Sequence, residues 1–169
     1  MGESLSITSP SSAAKPKLFI GCAKEDLHIA NAIEQNLWRE TEITIWDKDK
    51  FDSTHAPVET LLGLAENMDF AILIFSPLDP SRDKEAKAVR DNVIFEAGLF
   101  LGGLKRERVF LVKPEHSAHL RLPSDLSGLE PIPYQDNRDD GNWTAAVGPA
   151  CNHIRSRILP KLCISGMCC

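Results

Sequence analysis

No apolar run in this chain approaches the ~20 residues that a membrane-crossing helix requires, so no segment reads as a membrane span. Positive charge is not in excess either. Against 24 Asp and Glu stand 19 Lys and Arg, and a formal net charge of −5 leaves no global basic field for nucleic acid or an anionic membrane. Cysteine is scarce and odd in number. The five residues, Cys22, Cys151, Cys163, Cys168 and Cys169, include no CxxC paired with another. That excludes a disulfide framework and a zinc site of paired ligands, and it suits a reducing cytosol. The histidines (28, 55, 116, 119 and 153) lack HxxxH spacing, so no metal signature is present. The first residues have no apolar core of the kind a secretory signal needs.

What is there suits one globular unit. The 169 residues are 43% hydrophobic and 25% charged, the balance of an ordinary single domain. Residues 1–16 are rich in Ser, Ala and Pro and read as a disordered leader. Residues 17–162 read as the domain, and 163–169 as a flexible Cys-rich tail. Cys168-Cys169 fits either a double-cysteine prenylation signal or a frayed end. The expected location is cytoplasmic.

Short apolar strands alternate with amphipathic helices. "LFIGC" (18–22) is a strand, and Ile29, Ala30, Ile33 and Leu37 behind it have helical spacing. "ITIW" (43–46) is a second strand, followed by the polar loop 47–56. Pro57 opens a helix whose face is Val58, Leu61, Leu62, Ala65 and Met68. "DFAILIFSP" (69–77) is a continuous apolar run, as in a strand buried on both faces. A charged loop through Val89, a helix carrying Glu96, a strand at 108–114, a short extended piece near Ile132 and a closing helix weakened by Gly148-Pro149 complete the chain. This alternation predicts an α/β, doubly wound parallel sheet of four to five strands. In a flavodoxin-like order, ligands bind beyond the carboxyl ends of the first and third strands. Gly21, Cys22, Ala23 and Lys24 would line that crevice, with Ser76, Asp79, Asn92 and Glu96.

Glu96 is the one charged residue in "VIFEAGLFLGGL" (93–104). An ionised carboxylate in an apolar interior must find a partner, take up a proton or face a cavity. Asn92 lies four residues earlier on the same helical face, and Gly103 would leave room above. Glu96 therefore reads either as a functional carboxylate or as one side of an ion pair with Arg90, Arg82 or a nearby lysine. Cys22 reads as a small buried thiol more readily than as a nucleophile, because no histidine is placed to activate it.

The string "KLFIGCAKED…ITIWDKDKF…DFAILIFSPLD…RDNVIFEAGLFLGGLKRERVFLV…LPSDLSG" resembles the bacterial TIR-like family, relatives of the Toll/interleukin-1 receptor domain. These are best known as effector modules in anti-phage cyclic-oligonucleotide signalling. The resemblance covers residues 17–135 and implies the TIR version of the flavodoxin-like fold. It implies hydrolysis of NAD+ to nicotinamide and linear or cyclic ADP-ribose, with NAD+ as substrate and no cofactor. The glutamate of the "NVIFE" segment, Glu96, would be catalytic. Trp46 and Phe51 match the family's "W…F" loop and would offer an aromatic for stacking, although a Trp ending a strand is more often plain core. Asp125 of "LPSDLSG" would reach the crevice or cap a turn. Gly21-Cys22-Ala23 stands where family members often carry Gly-Ser-Ser, leaving backbone N–H groups at the next helix start as donors to diphosphate.

The resemblance also implies activation by oligomerisation, with self-association through loop 47–56 and a sensor domain or partner protein as the switch. Three other readings are open. One is a non-enzymatic TIR self-assembly or adaptor module. Another is a nucleoside deoxyribosyltransferase-like enzyme. The third is passive nucleotide binding like that of a flavodoxin.

Overall fold

The computed structural model describes residues 14–46, 57–76, 85–117, 126 and 128–163. Among the described residues, five strands form one sheet: β1 (Lys17–Gly21), β2 (Glu42–Trp46), β3 (Phe70–Ile74), β4 (Val109–Pro114) and β5 (Ile132–Tyr134). Four helices of the described residues connect and close it: α1 (Leu27–Leu37), α2 (Pro57–Asn67), α3 (Glu85–Leu104) and α4 (Trp143–Cys163). All pairings are parallel, in the order β2-β1-β3-β4-β5. The expected flavodoxin-like order is therefore the observed one, and the strand order reverses between β1 and β3.

Alternate residues of each strand feed two separate cores, as the two-residue period requires. Leu18 and Ile20 of β1, with Phe70, Ile72 and Ile74 of β3, face α1 and α4. Phe19 of β1, with Ala71 and Leu73 of β3, faces α2 and α3. Every residue of β3 is buried, which is why its sequence shows no alternation. Each fully buried Leu, Ile or Phe contributes about 1.5–3 kcal/mol to folding.

A polar clasp fastens α1 to α4. Arg155 Nε donates to Glu40 Oε1 at 3.1 Å, and Arg155 Nη2 donates to the Asn36 carbonyl at 2.6 Å. Asn36 Nδ2 donates in turn to the carbonyls of Ala32 (2.9 Å) and Thr144 (3.0 Å). The end of α1 and the body of α4 are thereby held in register by side chains that are only partly exposed.

Three local expectations change. α3 begins at Glu85, so the residues just before Val89 are helical and not loop. Glu85, Ala86, Lys87 and Ala88 are all good helix formers, and a charged run suits a solvated helical face as well as a loop. α4 runs unbroken through Gly148-Pro149 to Cys163. Ala146, Val147, Ala150 and Cys151 around the proline are all buried, and that packing outweighs the one lost backbone hydrogen bond. The segment around Glu96 is not uniformly buried, since Phe95 is 50% exposed.

Candidate active site

The switch point, where a crevice is expected, lies at the carboxyl ends of β1 and β3. Gly21 ends β1 and is level with Trp46 on one side and Leu73 on the other. After Gly21 the chain turns through Cys22 and Ala23 into a short 3-10 turn, Lys24–Asp26, and then α1. Cys22 is a buried thiol packed among the residues facing α1 and α4. Lys24 is exposed at the edge.

Glu96 reaches this edge from α3. Its side chain is on the buried face with Val93, Ala97 and Phe100, and the residue is 1% exposed. The reason it stands at the strand ends is a gap left by Gly21. A Cβ at position 21 would lie 3.0 Å from Glu96 Oε2, 2.8 Å from Leu73 Cδ1 and 2.9 Å from Phe19 Cε1. The carboxylate thus occupies space that any other residue at position 21 would contest. Below it, Phe19 stacks on Phe100 with centroids 4.1 Å apart, and Trp46 lies 6.4 Å from Phe19. Trp46 is buried, so its ring is a wall of this layer. Gly103 does not open space over the crevice: its missing Cβ faces Ala65 of α2, 3.4 Å away.

The opposite rim holds a polar group that the sequence alone does not assemble. Ser76 follows β3, and its hydroxyl donates to Asp26 Oδ1 at 2.7 Å. Asp26 is 7% exposed. Burial pushes its carboxyl above the usual carboxylate range, and the Ser76 hydrogen bond, with the nearby His28, offsets only part of that. Tyr134, the last residue of β5, is buried close to this pair. Burial pushes its phenol up to about 12, and the Asp26 charge adds to the effect. Asp26 reads in sequence as an acid at a helix start, yet its side chain makes no cap bond to α1. Tyr134 is the sole tyrosine of the chain and ends a strand, which is the one signal in the sequence that could mark it.

Gly21, Cys22, Ala23, Lys24, Trp46, Ser76 and Glu96 are therefore gathered at the carboxyl edge, and Asn92 sits one turn before Glu96 on α3. Phe51, Asp79 and Asp125 lie outside the described residues, as does the loop 47–56. A cavity of about 530 Å³ lined by Arg106, Glu130, His153 and Arg157 lies at the amino edge of β4 and β5. That is the wrong end of a parallel sheet for a ligand site.

Further along the carboxyl edge, His116 Nδ1 and Asp136 Oδ1 are 2.8 Å apart. The hydrogen bond to Asp136 raises the His116 pKa. For Asp136, burial acts upward, but the hydrogen bonds from the His116 ring and backbone prevail and lower it. The signs fix a window. The histidine's contribution is full below its unfolded value of 6.5 and is lost as pH rises through the higher folded value. The aspartate's is present above 3.8 and is lost as pH falls through the lower folded value. An NMR titration is expected to place the His116 pKa above 6.5 and to return it to that value in Asp136→Asn. A value at or below 6.5 in the unaltered chain would remove the pair from the account.

Comparison with known proteins identifies the family. Residues 17–136 match the TIR domain of the CAP12/Pycsar effector proteins. The chain is 39% identical over 142 residues to the Pycsar effector protein PaPycTIR of Pseudomonas aeruginosa, covering 82% of this chain and 46% of that one. It is 41% identical over 117 residues to CD-NTase-associated protein 12 of Flavobacterium daejeonense, covering 68% of this chain and 37% of that protein. It is 34% identical over 148 residues to the Pycsar effector protein XpPycTIR of Xanthomonas perforans, covering 85% and 48%. The chain thus spans less than half the length of these relatives. Among solved structures, a diflavin flavoprotein A3 from Nostoc sp. superposes with a TM-score of 0.52 at 14% identity, covering 88% of this chain and 99% of that one. That likeness speaks to the flavodoxin-like fold alone. With residues 17–136 matched to the family and 39% identity to one of its members over 82% of the chain, the chain belongs to the TIR-domain family of the CAP12/Pycsar effectors.

Proposed function

We propose that this domain is an NAD+ glycohydrolase that cleaves the nicotinamide–ribose bond, and that it serves as an anti-phage effector. The observation that carries the reading is the Glu96 carboxylate seated over Gly21 at the β1/β3 switch point. Family membership raises the same expectation independently.

The chemistry explains why one carboxylate is enough. Ordinary glycosidases use two carboxyl groups, because an alkoxide leaving group needs a proton. Nicotinamide leaves NAD+ differently. The C1′–N bond breaks with its electron pair passing to the ring nitrogen, which becomes neutral, so no general acid is required. Positive charge then develops on the ribose. A carboxylate held close to C1′ stabilises that charge or holds the ribose hydroxyls. Water adds to C1′ and releases a proton, giving ADP-ribose. Attack by a group of the adenine instead of water gives the cyclic product.

Control of this activity falls to parts beyond the domain fold or to neighbouring copies. The outer surface of α2 and α3 favours copies. Val58, Leu62 and Phe95 are 44%, 48% and 50% exposed there, beside a groove of about 790 Å³. Loop 47–56 remains a second proposed contact. Purified protein mixed with NAD+ over a concentration series is expected to release nicotinamide, seen by chromatography, with activity per molecule rising as light scattering reports assembly. No nicotinamide at any concentration, in a protein that assembles, would favour the adaptor reading. Base release from nucleosides but not NAD+ would favour the deoxyribosyltransferase.

A further inference from the structure

The loops leaving β1 and β3 diverge, because α1 lies on one face of the sheet and α3 on the other. Something must fix how far apart they stand. On the α3 side the crevice is bounded by Glu96 over Gly21. On the α1 side the two loops are joined by a side-chain bond, Ser76 to Asp26, which bridges 50 residues of sequence. We infer that this bond is a strap across the crevice, and that Asp26 and Ser76 are positioning residues setting how tightly a dinucleotide is held between the two loops.

Three observations support the strap. Asp26 stands where a helix cap belongs but makes no cap bond, so its carboxyl is committed across the sheet edge instead. It is 7% exposed, a costly place for a carboxyl with no structural return on its own helix. The strap joins the exits of β1 and β3. The end of β3 is itself fixed to β4 by the bond from Phe75 N to the Val112 carbonyl, 2.8 Å long. Ser76 accordingly offers Asp26 a rigid post, and the segment Cys22–Asp26 is the part that would move if the bond were lost.

The strap touches no reacting atom. Its loss should weaken substrate binding and leave the bond-breaking step alone, so the signature is a split between KM and kcat. The substrate in this inference rests on the glycohydrolase reading, and the test separates the two. Ser76→Ala is compared with Ser76→Thr, which restores a hydroxyl. Nicotinamide release is measured against NAD+ concentration, and amide hydrogen exchange is measured across residues 22–27. Ser76→Ala is expected to raise KM about tenfold, the scale of one charge-assisted hydrogen bond, with kcat within about twofold. Exchange at residues 22–27 should quicken, and Ser76→Thr should recover both. A lowered kcat at unchanged KM overturns the inference, as does exchange equal to the unaltered protein. If neither the unaltered protein nor Glu96→Gln releases nicotinamide, the glycohydrolase reading alone fails. Exchange at residues 22–27 then still decides the strap: quickened exchange upholds it and unchanged exchange sinks it.

Discussion

Glu96→Gln is expected to remove nicotinamide release and leave the fold intact. The substitution keeps the shape of the side chain and takes away only its charge. If that charge stabilises the ribose cation, the rate constant falls by about 10²–10³-fold, the scale seen when a preorganised electrostatic group is lost from an active site. The stability effect is small by comparison. An amide fits the same space over Gly21, so the melting midpoint should stay within about 3 °C, the shift that ~1 kcal/mol produces in a domain of this size. The opposite pattern belongs to a carboxylate that only completes the packing of α3: turnover unaltered and the midpoint depressed. Chromatographic assay of nicotinamide beside a thermal melt distinguishes them in one pair of samples. A Glu96→Gln protein that cleaves NAD+ at the unaltered rate would end the assignment of this carboxylate.

The position of that carboxylate is legible in the sequence because it depends on local pattern. The run from Phe70 to Phe75 has no polar interruption, so it reads as a strand buried on both faces, and the alternation around it reads as a doubly wound sheet. From there the switch point follows from topology, and Glu96 is the one charge in the apolar half of the helix that leads to it. The other rim is not legible. Asp26 and Ser76 are 50 residues apart, and nothing in either local sequence reports the other. Asp26 looks like an acid at a helix start because that is where acids usually lie. Its real partner is set by where two strands end, which is a tertiary fact. Tyr134 is hidden for the same reason, in a three-residue strand within a Pro-rich stretch. The start of α3 is hidden by its charge, because charge density does not distinguish a loop from the solvated side of a helix.

Gly21→Ala is expected to damage stability and activity together. The added methyl would meet Leu73 Cδ1 at 2.8 Å, Phe19 Cε1 at 2.9 Å and Glu96 Oε2 at 3.0 Å, so something must give. Phe19 is stacked on Phe100 and fully buried, and Leu73 is on the central strand, also fully buried. The carboxylate is at the end of the most flexible of the three side chains and yields first. Overpacking of this kind costs about 1–3 kcal/mol, which lowers the melting midpoint by roughly 2–12 °C. Catalysis suffers on top of this, because a displacement of about 1 Å from the reactive arrangement is worth up to ~100-fold in rate. The same chemical change elsewhere gives the reference. Gly102 lies on α3 with nothing within 4 Å of its missing Cβ. There, Gly→Ala should raise stability by up to ~1 kcal/mol through helix propensity. Opposite signs at positions 21 and 102 in melting would show that the glycine at the strand end is kept for the space it leaves to its neighbours, the Glu96 carboxylate among them. A Gly21→Ala protein with unaltered kcat would mean that the reacting group does not need to sit over the end of β1.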